Sequence, residues 1–253
     1  QAALLLDFHQ FCIESFDQYL SQYEAKLVEG NPSPLAPEYY VKPFIIKGGG
    51  TIIFGPSGKG KSTIALTMAV SIDSGISTFF QVSEAPVLFI NIERSHSSLV
   101  NRLTCVNLLL GLSPTRPLLM INSRGRTLLE IKEWAKRTVK NRGVEVVILD
   151  SISRSGLGSL IEDTTANRVI DTLNSICETW MAIGHTAKHN EETLYGSVHF
   201  TAGEDIGVRL HSIEREDGIL GASLEIVKAN DIPRFSPSFF ALEWNPEGIS
   251  KIS

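Results

Sequence analysis

Cysteine is scarce in this chain. Cys12, Cys105 and Cys177 are odd in number and far apart, so they form neither a disulfide ladder nor a CxxC metal knuckle. That pattern points away from zinc and toward a reducing compartment, the cytoplasm. Long hydrophobic runs are missing too: nothing approaches the roughly 18 uncharged apolar residues of a membrane span. The opening run Ala2-Ala3-Leu4-Leu5-Leu6 is stopped by Asp7 with no basic segment before it, so neither secretion nor membrane insertion is expected. Positive charge is not in excess. With 23 Lys and Arg against 28 Asp and Glu, the net charge of −5 excludes a surface coated with positive potential, and any contact with nucleic acid must be local. There is no internal repeat and no low-complexity tract. The first residue is Gln1 rather than Met, as expected of a processed or excised piece. What remains is 253 residues, 43% hydrophobic and 20% charged, enough for one substantial core and too apolar for disorder.

Residues 1–29 place Phe8, Phe11, Phe16, Tyr19, Leu20, Tyr23 and Leu27 at helical spacing among polar residues, which predicts one or two amphipathic helices. Three prolines, at 32, 34 and 37, then stop any helix. The expected organisation is an N-terminal helical extension and linker over 1–37 and a core domain over 38–253. Inside the core, short apolar runs alternate with longer amphipathic ones: 51–54 then 61–74, 87–92 then 96–110, 118–121 then 127–141, and 144–149 then 163–178. The expectation is an α/β domain whose central, mostly parallel sheet is covered by helices on both faces. From about 205 onward, shorter strand-like pieces at 207–213, 221–228 and 238–244 suggest a hairpin-rich end to the sheet.

Gly55-Pro56-Ser57-Gly58-Lys59-Gly60-Lys61-Ser62-Thr63 fits G-x-x-x-x-G-K-[ST], with a strand-like run before it and a helical run after it. Glycines at these positions let successive backbone N–H groups turn around phosphate oxygens, and the following helix presents its positive end to the anion. In this arrangement Lys61 reaches the β- and γ-phosphates of ATP and Ser62 ligates Mg²⁺. A second acid must hold that ion from the end of a buried strand, and Asp150 after Val146-Val147-Ile148-Leu149 meets the description; its other reading is a turn cap. Hydrolysis also needs a carboxylate to orient or deprotonate water. Glu93, at the end of 87–92, reads either as that base or as an ordinary first-turn residue of the next helix.

With these elements in place the sequence resembles RecA-fold P-loop ATPases of the AAA type, and among them the plasmid- and phage-type branch of RepA and DnaB replicative helicases. The likeness spans about 40–235 and rests on 40–50, on Phe89-Ile90-Asn91-Ile92-Glu93-Arg94 with Arg102-Leu103, on Ile148–Ser153, on Gly184-His185-Thr186-Ala187-Lys188 with Tyr195-Gly196-Ser197, and on Val227-Lys228-Ala229-Asn230. The resemblance implies that Glu93 is the catalytic base and that His185 senses the γ-phosphate. It implies a hexameric ring or filament in which Lys228 or Arg234 reaches a neighbour's nucleotide. Loops carrying Arg154, Lys188 and His189 would then face single-stranded DNA. The helicase pattern favours a basic residue two positions after Lys228, where this chain has Asn230.

Four activities fit these residues: a helicase or translocase in replication, a recombinase or recombination mediator, a regulatory ring ATPase acting on a protein partner through helix 1–29, and a small-molecule kinase. The last needs an arginine-rich lid, for which Arg124, Arg126 and Arg137 form the only nearby cluster.

Overall fold

A computed structural model describes residues 2–21, 25, 27–187, 190–214, 219–230, 232–233 and 235–253. The chain divides into two compact units, Gln1–Ala36 and Pro37–Ser253. Among its described residues the first holds α1 (Ala2–Leu20), within the stretch 1–29 where one or two helices were expected; the Ser21 hydroxyl donates to the Gln18 carbonyl at its end, and residues 27–31 have no regular structure. Tyr23, expected on the apolar face, lies outside the described residues. No helix among the described residues is long and apolar enough to cross a membrane.

The second unit runs in the order β1 (Tyr39–Lys42), β2 (Ile45–Ile46), β3 (Gly50–Gly55), α2 (Lys61–Ser74), β4 (Gln81–Val82), β5 (Val87–Asn91), α3 (His96–Leu109), β6 (Met120–Asn122), α4 (Leu128–Arg142), β7 (Val146–Asp150), α5 (Asp163–Ile176), β8 (Trp180–Ala187), β9 (Asn190–Leu194), α6 (Val198–Gly203), β10 (Ile206–Glu214), β11 (Leu220–Ala229), β12 (Ser238–Asn245) and β13 (Gly248–Ile252). The expected strand–helix alternation and the hairpin-rich end are both present. β2, β1 and β4 make a small antiparallel sheet.

The main sheet has the order β13-β12-β11-β10-β3-β8-β7-β5-β6, parallel from β10 to β6 and antiparallel from β10 to β13. The fold is therefore α/β, with a central, largely parallel sheet flanked by helices, in keeping with a RecA-like P-loop NTPase.

The apolar strands have a simple physical cause. Ile53, Phe89 and Ile148 point into a core with α2 and α3, while Ile52, Leu88, Ile90, Val147 and Leu149 point into a second core with α4 and α5. Successive residues alternate between faces, so a strand with no wet face must be apolar throughout. Each fully buried aliphatic side chain is worth about 1.5–3 kcal/mol of transfer free energy. Register then aligns the carboxyl ends: Gly55 of β3 is level with His185 of β8, and Asn91 of β5 with Asp150 of β7. Helix ends are fixed locally. Thr127 and Glu130 form a capping box at the start of α4, and Gly143 ends that helix in the left-handed conformation, φ 60°.

Candidate active site

Between β3 and α2 the chain turns through Gly58 at φ 77° and Gly60 at φ 88°, conformations that glycine adopts without steric cost. Open space surrounds the position a Gly58 side chain would take, whereas one at Gly60 would meet Leu242 of β12 at 2.8 Å. Gly60 is also the N-cap of α2 and offers no side chain to the first-turn amides. The loop is thus a row of backbone donors at the positive end of a buried helix, open on the outer side.

The loop borders a cavity of about 150 Å³ whose walls include Lys61, Ser62, Glu93, Asp150, His185 and Trp244. Lys61 is buried and donates to the carbonyls of Gly55 at 2.7 Å and Pro56 at 2.5 Å. An ammonium has three donors, so one is left for a ligand. Burial pulls the Lys61 pKa down to about 8, against the opposing pull of Asp150 and Glu93.

Asp150 is 2% exposed, and its Oδ1 has no hydrogen-bond partner among the described residues. Burial raises its pKa, with Glu93 adding to the rise, while the Ser62 hydroxyl, Arg102 and Arg94 oppose it. A buried carboxylate oxygen without a partner is costly, and a cation beside the Ser62 hydroxyl would relieve it. The donor set, one carboxylate and one hydroxyl with the rest of the shell left to water and phosphate, suits Mg²⁺. Ser62 and Asp150 are the residues that would hold it, and its chemistry there would be to neutralise phosphate charge.

Glu93 lies two residues beyond the end of β5 and accepts a hydrogen bond from the Ser151 hydroxyl at 2.8 Å. Ser151 in turn shares a 2.8 Å hydroxyl contact with Ser153. His185 is half-buried, and its pKa is lowered by burial and by the charge of Lys61, so the neutral imidazole is favoured.

The other expected residues stand elsewhere. Arg154 is exposed at the end of a 3-10 turn, Ile152–Arg154, and borders a separate cavity. Lys228, on β11, is not part of the wall around the loop; its ammonium donates to the carbonyls of Thr201, at 2.6 Å, and Glu204, at the end of α6. Lys188, His189 and Arg234 lie outside the described residues.

Sequence reasoning gave no role to four members of the wall, Arg94, Arg102, Ile183 and Trp244. Arg94 and Arg102 carried only the likeness, yet both border the cavity, and the Nε of Arg94 is buried without a hydrogen-bond partner among the described residues. Trp244 comes from β12. No local signal marks it, because its position depends on the antiparallel strands folding back beside the loop.

A family model described as an AAA domain matches residues 19–191, more than half of the chain and inclusive of the glycine loop, Glu93, Asp150 and His185. No curated protein matches the chain.

Proposed function

Because the chain belongs to the AAA domain family, whose members are P-loop ATPases, we propose that it is a Mg²⁺-dependent ATP hydrolase that works as a RecA-like oligomeric motor on single-stranded DNA in replication. One observation carries the hydrolytic part. The carboxylates of Glu93 and Asp150, from the ends of neighbouring strands, share a wall with Lys61 and the glycine loop. Division of labour follows from their surroundings. Asp150 is deeply buried beside Ser62 and suits the metal. Glu93, half-buried and oriented by Ser151, suits a water molecule.

In this reading, water attacks the γ-phosphorus while Glu93 takes its proton, and the bond to the β,γ-bridging oxygen breaks to leave ADP and phosphate. Lys61, with Arg94 and Arg102 nearby, faces the charge spread over the phosphoryl oxygens. His185, neutral at the level of the loop, would hydrogen-bond the terminal phosphate.

The reading as a DNA motor is supported by the likeness to replicative helicases and by Arg154, which follows the metal-binding strand by four residues. Assembly into a hexameric ring or filament would bring Lys228 or Arg234 to a neighbour's nucleotide. The test is phosphate release with and without single-stranded DNA over a salt series, with mass measured in the presence of Mg²⁺ and a non-hydrolysable ATP analogue. Expected are an assembled species and a stimulation that fades with salt. A monomeric ATPase indifferent to DNA would refute the motor and leave the hydrolase.

A further inference from the structure

A second cavity of about 450 Å³ lies beside the first, between the turn after β6 and the loop after β7. Its walls carry Arg124 and Arg126 from the first segment and Arg154 from the second, all exposed. None of the three guanidinium groups has a hydrogen bond or ion pair among the described residues. In a chain of net charge −5, three arginines around one hollow are a local concentration of positive charge, offset only in part by the Glu130 carboxylate acting on Arg126.

The two segments are fastened together. Leu128 donates its amide to the Ser155 carbonyl at 2.8 Å, and a side chain at Gly156 would strike the Thr127 methyl at 2.5 Å. Glu93 is the only acidic residue of this wall among the described residues, and it also belongs to the wall of the first cavity. Ser153, hydrogen-bonded to the serine that holds Glu93, lines the second cavity as well.

We infer that this cavity seats the sugar-phosphate backbone of single-stranded DNA, with Arg124 and Arg126 making phosphate contacts alongside Arg154. The inference rests on the proposed action on single-stranded DNA, and it adds a segment, 124–127, that the sequence likeness did not assign to DNA. Guanidinium groups suit phosphate oxygens through paired N–H donors. No aromatic ring lines the cavity, so contacts to phosphate, indifferent to sequence and sensitive to salt, replace base stacking. Because Glu93 and Ser153 belong to this wall, a bound strand lies against the group proposed to activate water.

The experiment measures binding of a fluorescent oligothymidylate by anisotropy across a salt series. It compares the unaltered protein with Arg124→Ala/Arg126→Ala and with a charge-matched control on the exposed side of α4, Lys136→Ala/Arg137→Ala. The expected result is a loss of roughly tenfold or more in the first variant, with the slope of log affinity against log salt reduced by about 1.4, or about 0.7 per lost phosphate contact. The control should bind as the unaltered protein does. All four altered groups are exposed, and an unchanged Tm verifies folding; Arg124→Glu alone should lower affinity further than Arg124→Ala. If the unaltered protein binds DNA and the first variant binds as tightly, or if the control loses as much, this seat is refuted while the motor reading stands. If the unaltered protein binds no single-stranded DNA, both fall together.

Discussion

Ser151 donates a hydrogen bond from its hydroxyl to Glu93 Oε2 at 2.8 Å, joining the residue after β7 to one just past β5. A hydrogen bond to a charged group contributes about 1.5–3 kcal/mol, enough to decide which way a half-buried carboxylate points. Ser151→Ala should therefore lower kcat for ATP hydrolysis about tenfold with KM little changed, and Ser151→Thr should restore part of it. Glu93→Gln should fall by about a hundredfold or more while still binding nucleotide. Steady-state phosphate release beside nucleotide titration separates the two. Equal loss of binding in Ser151→Ala would show that the serine supports the loop rather than the carboxylate.

Asp150→Asn makes a different prediction, because its carboxylate is buried with an oxygen that has no partner among the described residues. The amide removes a desolvated charge, so the nucleotide-free protein should be no less stable than the parent. Nucleotide affinity should lose its dependence on Mg²⁺. Thermal unfolding without ligand, and nucleotide titration with Mg²⁺ or with EDTA, check the two halves.

Glu204 is 2% exposed at the end of α6, and burial pushes its pKa up to about 9 despite the Lys228 charge nearby. The unfolded carboxyl titrates near 4.5, so between these values the unfolded state has lost a proton that the folded state keeps. This group's contribution to stability is complete below pH 4.5, declines as pH rises by at most about 1.4 kcal/mol per unit, and levels off above pH 9. Glu204→Gln should flatten the profile and gain stability relative to the parent at pH 8. Unfolding free energies at several pH values test it; identical profiles would contradict the buried neutral acid.

Gly50 opens β3 against a wall of indole. A side chain there would stand 2.2 Å from the ring of Trp180, which is fully buried and donates its N–H to Asn174 Oδ1 at 2.6 Å. Gly50→Ala should cost about 3 kcal/mol, lowering Tm by roughly 6–12 °C in a chain of this size. Calorimetry gives the answer directly.

Much of this was legible because it is local. The glycine loop, the strand before it and the helix after it are contiguous, and Asp150 ends an apolar run that reads as a strand buried on both faces. Glu93 was reachable by the same logic, since register places its strand beside that of Asp150.

What could not be read depends on distant approach. Trp244 and Leu242 arrive at the loop only because β10 pairs with β3 and three antiparallel strands follow it. The pairing of Ser151 with Glu93 needs two strand ends brought side by side, and nothing in either neighbourhood announces it.

Leu242 backing Gly60 has a consequence for biogenesis. The phosphate loop is translated roughly 180 residues before the side chain behind it. A ribosome-bound chain carrying only the parallel strands exposes that loop on its inner as well as its outer side. On the proposed reading, the loop gains its full backing for a nucleotide only once β12 has emerged and docked.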